Sequence, residues 1–552
     1  MKKIEVKINN EKILTLDYGT KVLDFINENY LEEKYNILAV KVNNILVDLN
    51  YVLEEDCNLE FIYYGSKLGE AVYKQSTKFL FFVAVNEYFK NAKKQVKVFI
   101  NHSLGNGYYF YINTKINKQI VKEIEELMWK LQSSALPFVF KRSAIHKAIN
   151  YFEKKGYKDK VLLLKNSTYQ FVKIYECRNV SDFAFIPIVP DTSYIKNFKL
   201  SYYEPGIILH FPDAKNIKKF APDWEYKKLF KIYQESKNWS EILNLYNIGL
   251  LNQAIIDDKI NEVINICETF HEKKISYIAD MITKKRDKVK IILVAGPSSS
   301  GKTTFAKRLG IHLKVNGLNP IAISTDDFFV NRPLTPRDEK GDYDFESIYA
   351  LDLKHFNQVL KNLLNGEEVW MPEFDFKEGK RNDKAYQLKL DKNQVIIIEG
   401  LHSLNPLLTK EIDNKYKFKI YVSALTQLTI DNFNRISTRD LRLIRRMVRD
   451  NFFRGYSADE TISRWSSVTA GEEKYIYPFQ ESADIMFNSS LLYELGVLKD
   501  FAIDIIKRIP LDSPNYDEAQ RLLNFLLLFL RVRTDNVPKT SILREFIGGG
   551  IL

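Results

Sequence analysis

Three stretches follow one another without a gap in the second half of the chain. Val289–Ala295 is an apolar run rich in β-branched residues, Gly296–Thr303 reads Gly-Pro-Ser-Ser-Ser-Gly-Lys-Thr, and Thr304–Lys314 carries Phe305, Leu309 and Leu313 at helical spacing. Such an apolar run belongs in the middle of a parallel sheet, and a strand feeding a glycine-bounded loop and then a helix opens an α/β fold. The loop fits the pattern G-x-x-x-x-G-K-[ST]. Glycines let successive N–H groups turn inward, and the following helix presents its positive end, so the loop can cradle phosphate. A mere turn before a helix is the alternative, and the strand, loop, helix order argues against it. The residues expected at the nucleotide are Gly296, Ser298, Ser299, Ser300, Gly301, Lys302, Thr303 and Thr304. Lys302 would neutralise the β- and γ-phosphates, and the Thr303 hydroxyl would reach Mg²⁺.

At 552 residues the chain exceeds what one core serves, and about three or four domains are expected. Its 45% hydrophobic and 27% charged residues suit buried cores rather than disorder. The longest apolar stretches, Phe79–Val85 and Leu522–Leu530, fall short of the roughly 20 residues that span a bilayer. The acidic turn at Glu5 leaves no signal-peptide core, and the expectation is a cytoplasmic protein without a membrane partner. Cys57, Cys177 and Cys267 are too scattered for a disulfide framework or a zinc site. A net charge of +11 attracts nucleic acid, acidic membrane or phosphorylated small molecules without choosing among them. Runs such as Lys284-Lys285-Arg286 read as solvated faces.

The front of the chain reads as two further units. Residues 1–64 alternate at Ile4-Glu5-Val6-Lys7-Ile8, continue through an amphipathic Val22–Asn29, a strand at Ile37–Val42, a turn at Asn43-Asn44 and a strand at Leu59–Tyr63. This is a small β-grasp pattern. The phrase Ala39–Leu49 resembles the TGS domain of threonyl-tRNA synthetases. Residues 65–212, with helices expected at Val72–Tyr88, Lys118–Ser133 and Arg142–Lys155, resemble the α+β editing domain of the same synthetases through Tyr73–Phe79, Gly105–Phe110 and Pro187–Leu200. Where that family's active members carry a His-x-x-x-His pair, this chain has Gln75 and Phe79; where they carry a cysteine and a third histidine, it has Ala184 and Ile188. Glutamine and phenylalanine cannot converge on a metal as two histidines one turn apart can, so a scaffold or an RNA contact is implied for residues 1–212 in place of editing. Residues 213–286 read as a helical connector, with helices at Trp224–Glu235, Trp239–Ala254 and Ile260–Thr283.

Residues 287–510 read as the parallel-sheet phosphate-loop domain, and 511–552 as a helical tail that packs on it or associates with a second copy. After a strand at Pro320–Ser324 comes Thr325-Asp326-Asp327-Phe328-Phe329, which sets carboxylates at a strand's carboxyl end, where open α/β sheets bind ligands. Asp326 can take the proton of an attacking hydroxyl and help hold a metal. Asp327 is equally suited to a helix cap.

Here the chain resembles the uridine kinases. Thr325–Phe329 matches their Asp-Ser-Phe-Tyr segment at Asp326, Tyr343-Asp344-Phe345 the start of their Phe-Asp-His-Pro segment, and Pro372–Phe376 with Arg381 their Pro-x-Tyr-Asp-Phe segment. Val395–Leu401 looks like their second nucleotide-site strand and brings Glu399 to the metal. The resemblance implies a nucleoside held by Asp344, Phe374, Phe376 and Arg381, and a metal held by Thr303, Glu399 and Asp326. Arg435, Arg439, Arg442, Arg446 and Arg449 are spaced by fours and threes, which on a helix lines five guanidinium groups along one face. Salt bridges to Asp431, Asp440 and Asp450 would use some of them. Similarity to the family's lid implies catalytic roles for Arg442 and Arg446 and a triphosphate contact for Arg449. Two departures bear on the base: Gly379 stands where pyrimidine nucleoside kinases have a histidine, and Phe374 replaces a tyrosine. The resemblance implies transfer of a γ-phosphate from ATP or GTP, with Mg²⁺, to the 5′-hydroxyl of uridine or cytidine. The alternatives are a sugar-phosphate kinase, since Glu399-Gly400-Leu401-His402 is also seen in phosphoribulokinases, and an RNA-binding protein with a nucleotide-driven switch.

Overall fold

A computed structural model of the chain describes residues 2–9, 11–183, 185–222, 225–337, 341–375, 377–391 and 393–552. Ala184, Trp224 and Phe376, named above, lie outside them.

Alternation in Lys3–Ile8 buries Ile4, Val6 and Ile8 on one face. That strand pairs antiparallel with Lys12–Asp17 and parallel with Cys57–Tyr63, which pairs in turn with Ile37–Val42 and through it with Ile45–Val47. Helix Val22–Asn29 closes this core with Val22, Phe25 and Ile26. The hairpin turn falls on Asn43 and Asn44, both at positive φ (49° and 64°), a conformation asparagine tolerates better than most residues.

Helix Lys67–Asn91 then runs under a four-stranded antiparallel sheet, in the order Lys199–Tyr203, Gly206–His210, Gly107–Ile112, Val98–Leu104. A three-stranded sheet, Val139–Ala144, Phe171–Cys177 and Val180–Phe183, lies apart from it. The helix expected from Arg142 starts instead at Ile145, because Val139–Ala144 is a strand paired with Phe171–Glu176.

The expected connector departs most from its sequence reading. Its first residues are an antiparallel hairpin, Pro212–Asp213 with Asn216–Phe220. Helices follow at Lys227–Ile242, Ile248–Ile256 and Ile260–Thr283. The single helix expected over Trp239–Ala254 is interrupted because Asn244 takes φ 51° and Asn247 accepts the Leu250 N–H as the cap of the next helix. Apolar Ile248, Leu251, Ile264, Ile275 and Ile278 belong to one core with Ile292, Phe305, Leu309 and Ile420 of the last domain and with Phe152 and Leu163 of the front half, so the segment packs on both. Residues 511–552 share that core through Leu522, Phe525, Leu526, Ile542 and Phe546.

The sheet of the last domain is wholly parallel, in the order Asn319–Ser324, Gln394–Glu399, Ile291–Ala295, Lys417–Ser423, Ile485–Asn488. The central strand Ile291–Ala295 is buried at every position. Among the described residues no helix is long and apolar enough to cross a membrane.

Candidate active site

The loop after the central strand curls as its residues require. Ser299 and Gly301 both take positive φ (58° and 80°), which bends the chain so that carbonyls point away and N–H groups gather on one side. The carbonyls have dedicated partners. Arg442 donates to Ser298 O (3.2 Å), Arg445 to Ser299 O (3.4 Å), the Ser489 hydroxyl to Ser300 O (2.5 Å) and Lys302 Nζ to Pro297 O (3.2 Å). Helix Lys302–Val315 begins at once, with Phe305, Leu309 and Leu313 buried beneath it.

Strand register brings the carboxylates to this loop. Ser324 lies beside Glu399, and Glu399 beside Val294, so Asp326 and Glu399 both emerge next to the loop. The approach is tight enough to need glycine at 400, where a Cβ would lie 1.8 Å from Thr325 Oγ1. Burial pushes the Glu399 carboxyl up to about 7, against the pull of Lys302 and a hydrogen bond from Thr303, while Asp326 nearby adds to the rise. Asp326 opens to the cleft, yet surrounding protein raises its pKa too, opposed by Lys302 and Arg454. Lys302, Thr303, Asp326 and Glu399 are thus brought together.

One hydroxyl and two carboxylates form an all-oxygen donor set of the kind Mg²⁺ takes. Crowding that raises both carboxyl pKa values is relieved by a cation, so these residues fit the metal. Among the described residues no group of three acidic, histidine or cysteine side chains converges to cage an ion; an ion at Thr303 would take further oxygens from nucleotide phosphate and water, as Mg²⁺ does.

The arginine stripe requires correction. The helix runs Thr438–Arg454, so Arg435 precedes it and stacks on Tyr108 (4.7 Å), while Arg439 lies exposed against Glu473. Arg442, expected to act on phosphate, is wholly buried and bidentate on Glu472 (2.5 and 2.6 Å). The Ser298 N–H also donates to Glu472 (2.9 Å). Burial pushes that carboxyl up, but Arg442 overrides it and the net pKa is lowered. Arg445, given no role from sequence, is equally buried and bonded to Glu494 and Ser489 O. Arg446 and Arg449 both engage Asp450, and Arg446 also reaches Ser298 Oγ (3.0 Å). Both are partly exposed, unlike Arg442. Sequence reasoning missed Glu472, Glu494, Ser489 and Glu545; spacing carries no signal for a carboxylate whose partner lies on another element.

On the far side of the cleft, Asp344 accepts from Tyr475 (3.4 Å), and Arg381 is bonded to Asp352 (3.0 Å) and Asp383 (2.5 Å). Phe374 packs on Phe329 at 5.6 Å. Gly379 takes φ 69°, and a Cβ there would lie 2.6 Å from Arg332 Nε, so the Arg332 side chain takes the space that any larger residue at 379 would need. Glu346 is pushed up to about 7 by burial, with Arg446 and Lys302 opposing.

In the front half the helix that carries Gln75 and Phe79 is met by residues of the last domain. Phe79 is buried against Phe138, and Ile188 is buried as well. Asn434 accepts from Lys78 (2.7 Å) and lies 3.5 Å from Gln75, and Phe433 stacks on Phe82 (3.8 Å between centroids). Lys160, without exposure, sits between Asp182 (2.5 Å) and Asp431 (3.1 Å).

Residues 291–492 match the Phosphoribulokinase / Uridine kinase family. A uridine kinase of Staphylococcus aureus (strain JH9) is 29% identical over 197 residues, spanning 36% of this chain and 86% of that protein; the one from strain Newman gives the same values. A solved structure described as a "possible uridine kinase" from Bacillus stearothermophilus is 18% identical, with a TM-score of 0.28 over 39% of this chain and 98% of its own. A D-glycerate 3-kinase from Cryptococcus neoformans is 15% identical, with a TM-score of 0.21 over 48% and 89%.

Proposed function

We propose, taking residues 291–492 as a phosphoribulokinase/uridine kinase family domain and hence an ATP-dependent phosphotransferase, that the chain phosphorylates the 5′-hydroxyl of a nucleoside, uridine or cytidine, from ATP or GTP. The observation that carries this reading is the register Ser324–Glu399–Val294, which supports Asp326 and Glu399 meeting Lys302 at the carboxyl ends of the parallel strands.

Asp326 takes the proton of the acceptor hydroxyl as its oxygen bonds to the γ-phosphorus, the bond to the β-phosphate oxygen breaks, and the nucleoside diphosphate leaves. A raised pKa suits that base, since proton transfer is best driven when the acceptor is not too acidic. Lys302 and Arg446 stabilise charge on the phosphoryl group, and Arg449 with the N–H groups of the loop holds the donor. Thr303, Glu399 and Asp326 would hold Mg²⁺, which screens phosphate charge when bound. Arg442 serves this site by fixing Glu472 and the Ser298 carbonyl. Asp344, Phe374, Phe376 and Arg381 are assigned to the acceptor.

The first 212 residues are read as TGS-like and editing-like units that serve as scaffold. Asn434 and Phe433 of the last domain, packed on Lys78 and Phe82 of the helix that carries Gln75 and Phe79, support that role. A sugar-phosphate acceptor is favoured by one observation, the Arg332 guanidinium packed against Gly379, the position at which pyrimidine nucleoside kinases have a histidine. Product mass after incubation with ATP, Mg²⁺ and a panel of nucleosides and sugar phosphates decides between them. Uridine or cytidine monophosphate is expected; phosphorylation of sugar phosphates alone would replace the nucleoside.

A further inference from the structure

The carboxyl-terminal segment reaches the nucleotide loop from outside the matched region, which ends at residue 492. Glu545 accepts from both the backbone N–H of Thr304 (3.2 Å) and its hydroxyl (2.8 Å). These donors sit in the first turn of the loop's helix, where an N–H has no intrahelical partner and is suited to phosphate. Thr304 is the residue after the Lys-Thr of the motif, beside the N–H groups that cradle the α- and β-phosphates. A carboxylate and a phosphate oxygen are alternative acceptors for the same donors, and both cannot have them. The Glu545 charge is also felt by Glu399, whose carboxyl it helps to raise.

The segment is held in place around this contact. Ile542 lies against Gly301, where a Cβ would come within 2.5 Å of its methyl. Phe546, buried, covers the Arg445 guanidinium at 4.9 Å, the same arginine that fixes the Ser299 carbonyl. Arg544 donates to the carbonyls of Thr534, Val537 and Gly548, folding residues 534–548 into one closed loop. Buried Ile542 and Phe546 anchor the segment, and Glu545 beside them is only partly buried, so displacing its carboxylate frees the Thr304 contact and loosens residues 541–548.

We propose that Glu545 is an internal gate on the donor site, a carboxylate that holds the Thr304 donors in place of a nucleotide phosphate and must be displaced for the nucleotide to seat. The proposal rests on the assignment of residues 296–304 to nucleotide binding. Exchange of one charged acceptor for another sets the size of the effect. Replacing Glu545 with alanine should tighten Mg·ATP binding about tenfold.

The test is titration calorimetry of Mg·ATP with the full chain as wild type, Glu545→Ala, Glu545→Gln and Lys302→Ala. Tightening in Glu545→Ala, with an intermediate gain in Glu545→Gln, is expected; unchanged or weaker binding in both, while the wild type binds and Lys302→Ala does not, overturns the gate alone. No binding by the wild type or by either Glu545 variant overturns the nucleotide reading and the gate with it. Hydrogen exchange on the wild type needs no variant to fold. Mg·ATP should speed exchange in residues 541–548, and slower exchange there would make the segment a nucleotide contact and overturn the proposal.

Discussion

Glu472 grips Arg442 through both carboxylate oxygens, at 2.5 and 2.6 Å, with neither side chain exposed to solvent. The same carboxylate receives the Ser298 N–H and the Tyr477 hydroxyl. Breaking such a pair strands a buried charge, so Glu472→Gln should cost about 3–5 kcal/mol of stability. Urea unfolding measures it. The double replacement Arg442→Met, Glu472→Leu should lose less than either single change, since it leaves no unpaired charge.

Asp326→Asn should lower kcat by about 10²–10⁴-fold, the usual worth of a positioned base, while ATP still binds. Steady-state kinetics beside calorimetry separates the two; turnover close to wild type would remove Asp326 from the mechanism.

Glu399 gives a pH dependence whose sign is set by its raised pKa. Its carboxyl is raised from 4.5 to about 7 in the folded chain. Below 4.5 it is protonated in both folded and unfolded states, and its contribution to stability is fully present. As pH rises from 4.5 towards about 7 the unfolded chain releases the proton first, and that contribution is lost. The thermal midpoint of the metal-free protein should therefore fall across this window, and less steeply in Glu399→Gln. Mg²⁺ binding runs the other way, strengthening with pH because the ion needs the ionised carboxylate.

Lys160→Met should cost about 3–5 kcal/mol, because Asp182 and Asp431 would face each other buried without their shared cation. Burial pushes the Lys160 ammonium down, but the two carboxylates prevail and its net pKa is raised. Chemical denaturation followed separately by front-half and last-domain probes should show both halves weakened.

The parts of this structure that are legible in the sequence are those written in local periodicity. Helices Val22–Asn29, Lys118–Ser133 and Ile260–Thr283, and the strand Ile37–Val42, fall where alternation or three-four spacing places them. The loop and its following helix were equally plain, because glycine, lysine and threonine have fixed jobs at fixed offsets. Long-range pairing was not legible. The arginine spacing identified a helix face but not that Glu472, on the next helix, would take Arg442 into the interior. Nor could periodicity show that Asn244 and Asn247 end one helix and begin another, since both halves carry apolar residues at similar intervals. Arg332 opposite Gly379 and Glu545 on Thr304 are contacts between remote segments, set by tertiary packing alone.

The insertion of residues 431–434 into the front half has a consequence for the order in which the chain is made. Asp159 receives the Asn432 N–H across 273 residues of sequence, and Asp182 meets Asn434 across 252. Synthesis delivers the front half first, at about 5–20 residues per second, so it emerges well before the loop that completes its interior. During that interval Lys160 has Asp182 but not Asp431, and Phe82 lacks the stacked ring of Phe433 while keeping its edge contacts with Phe81 and Phe110. Contacts of such separation slow the final step of folding, and they make the front half reach its finished form only once the catalytic half exists. The two halves are therefore joined in time as well as in space: the front half completes its core only after residues 431–434 have been translated.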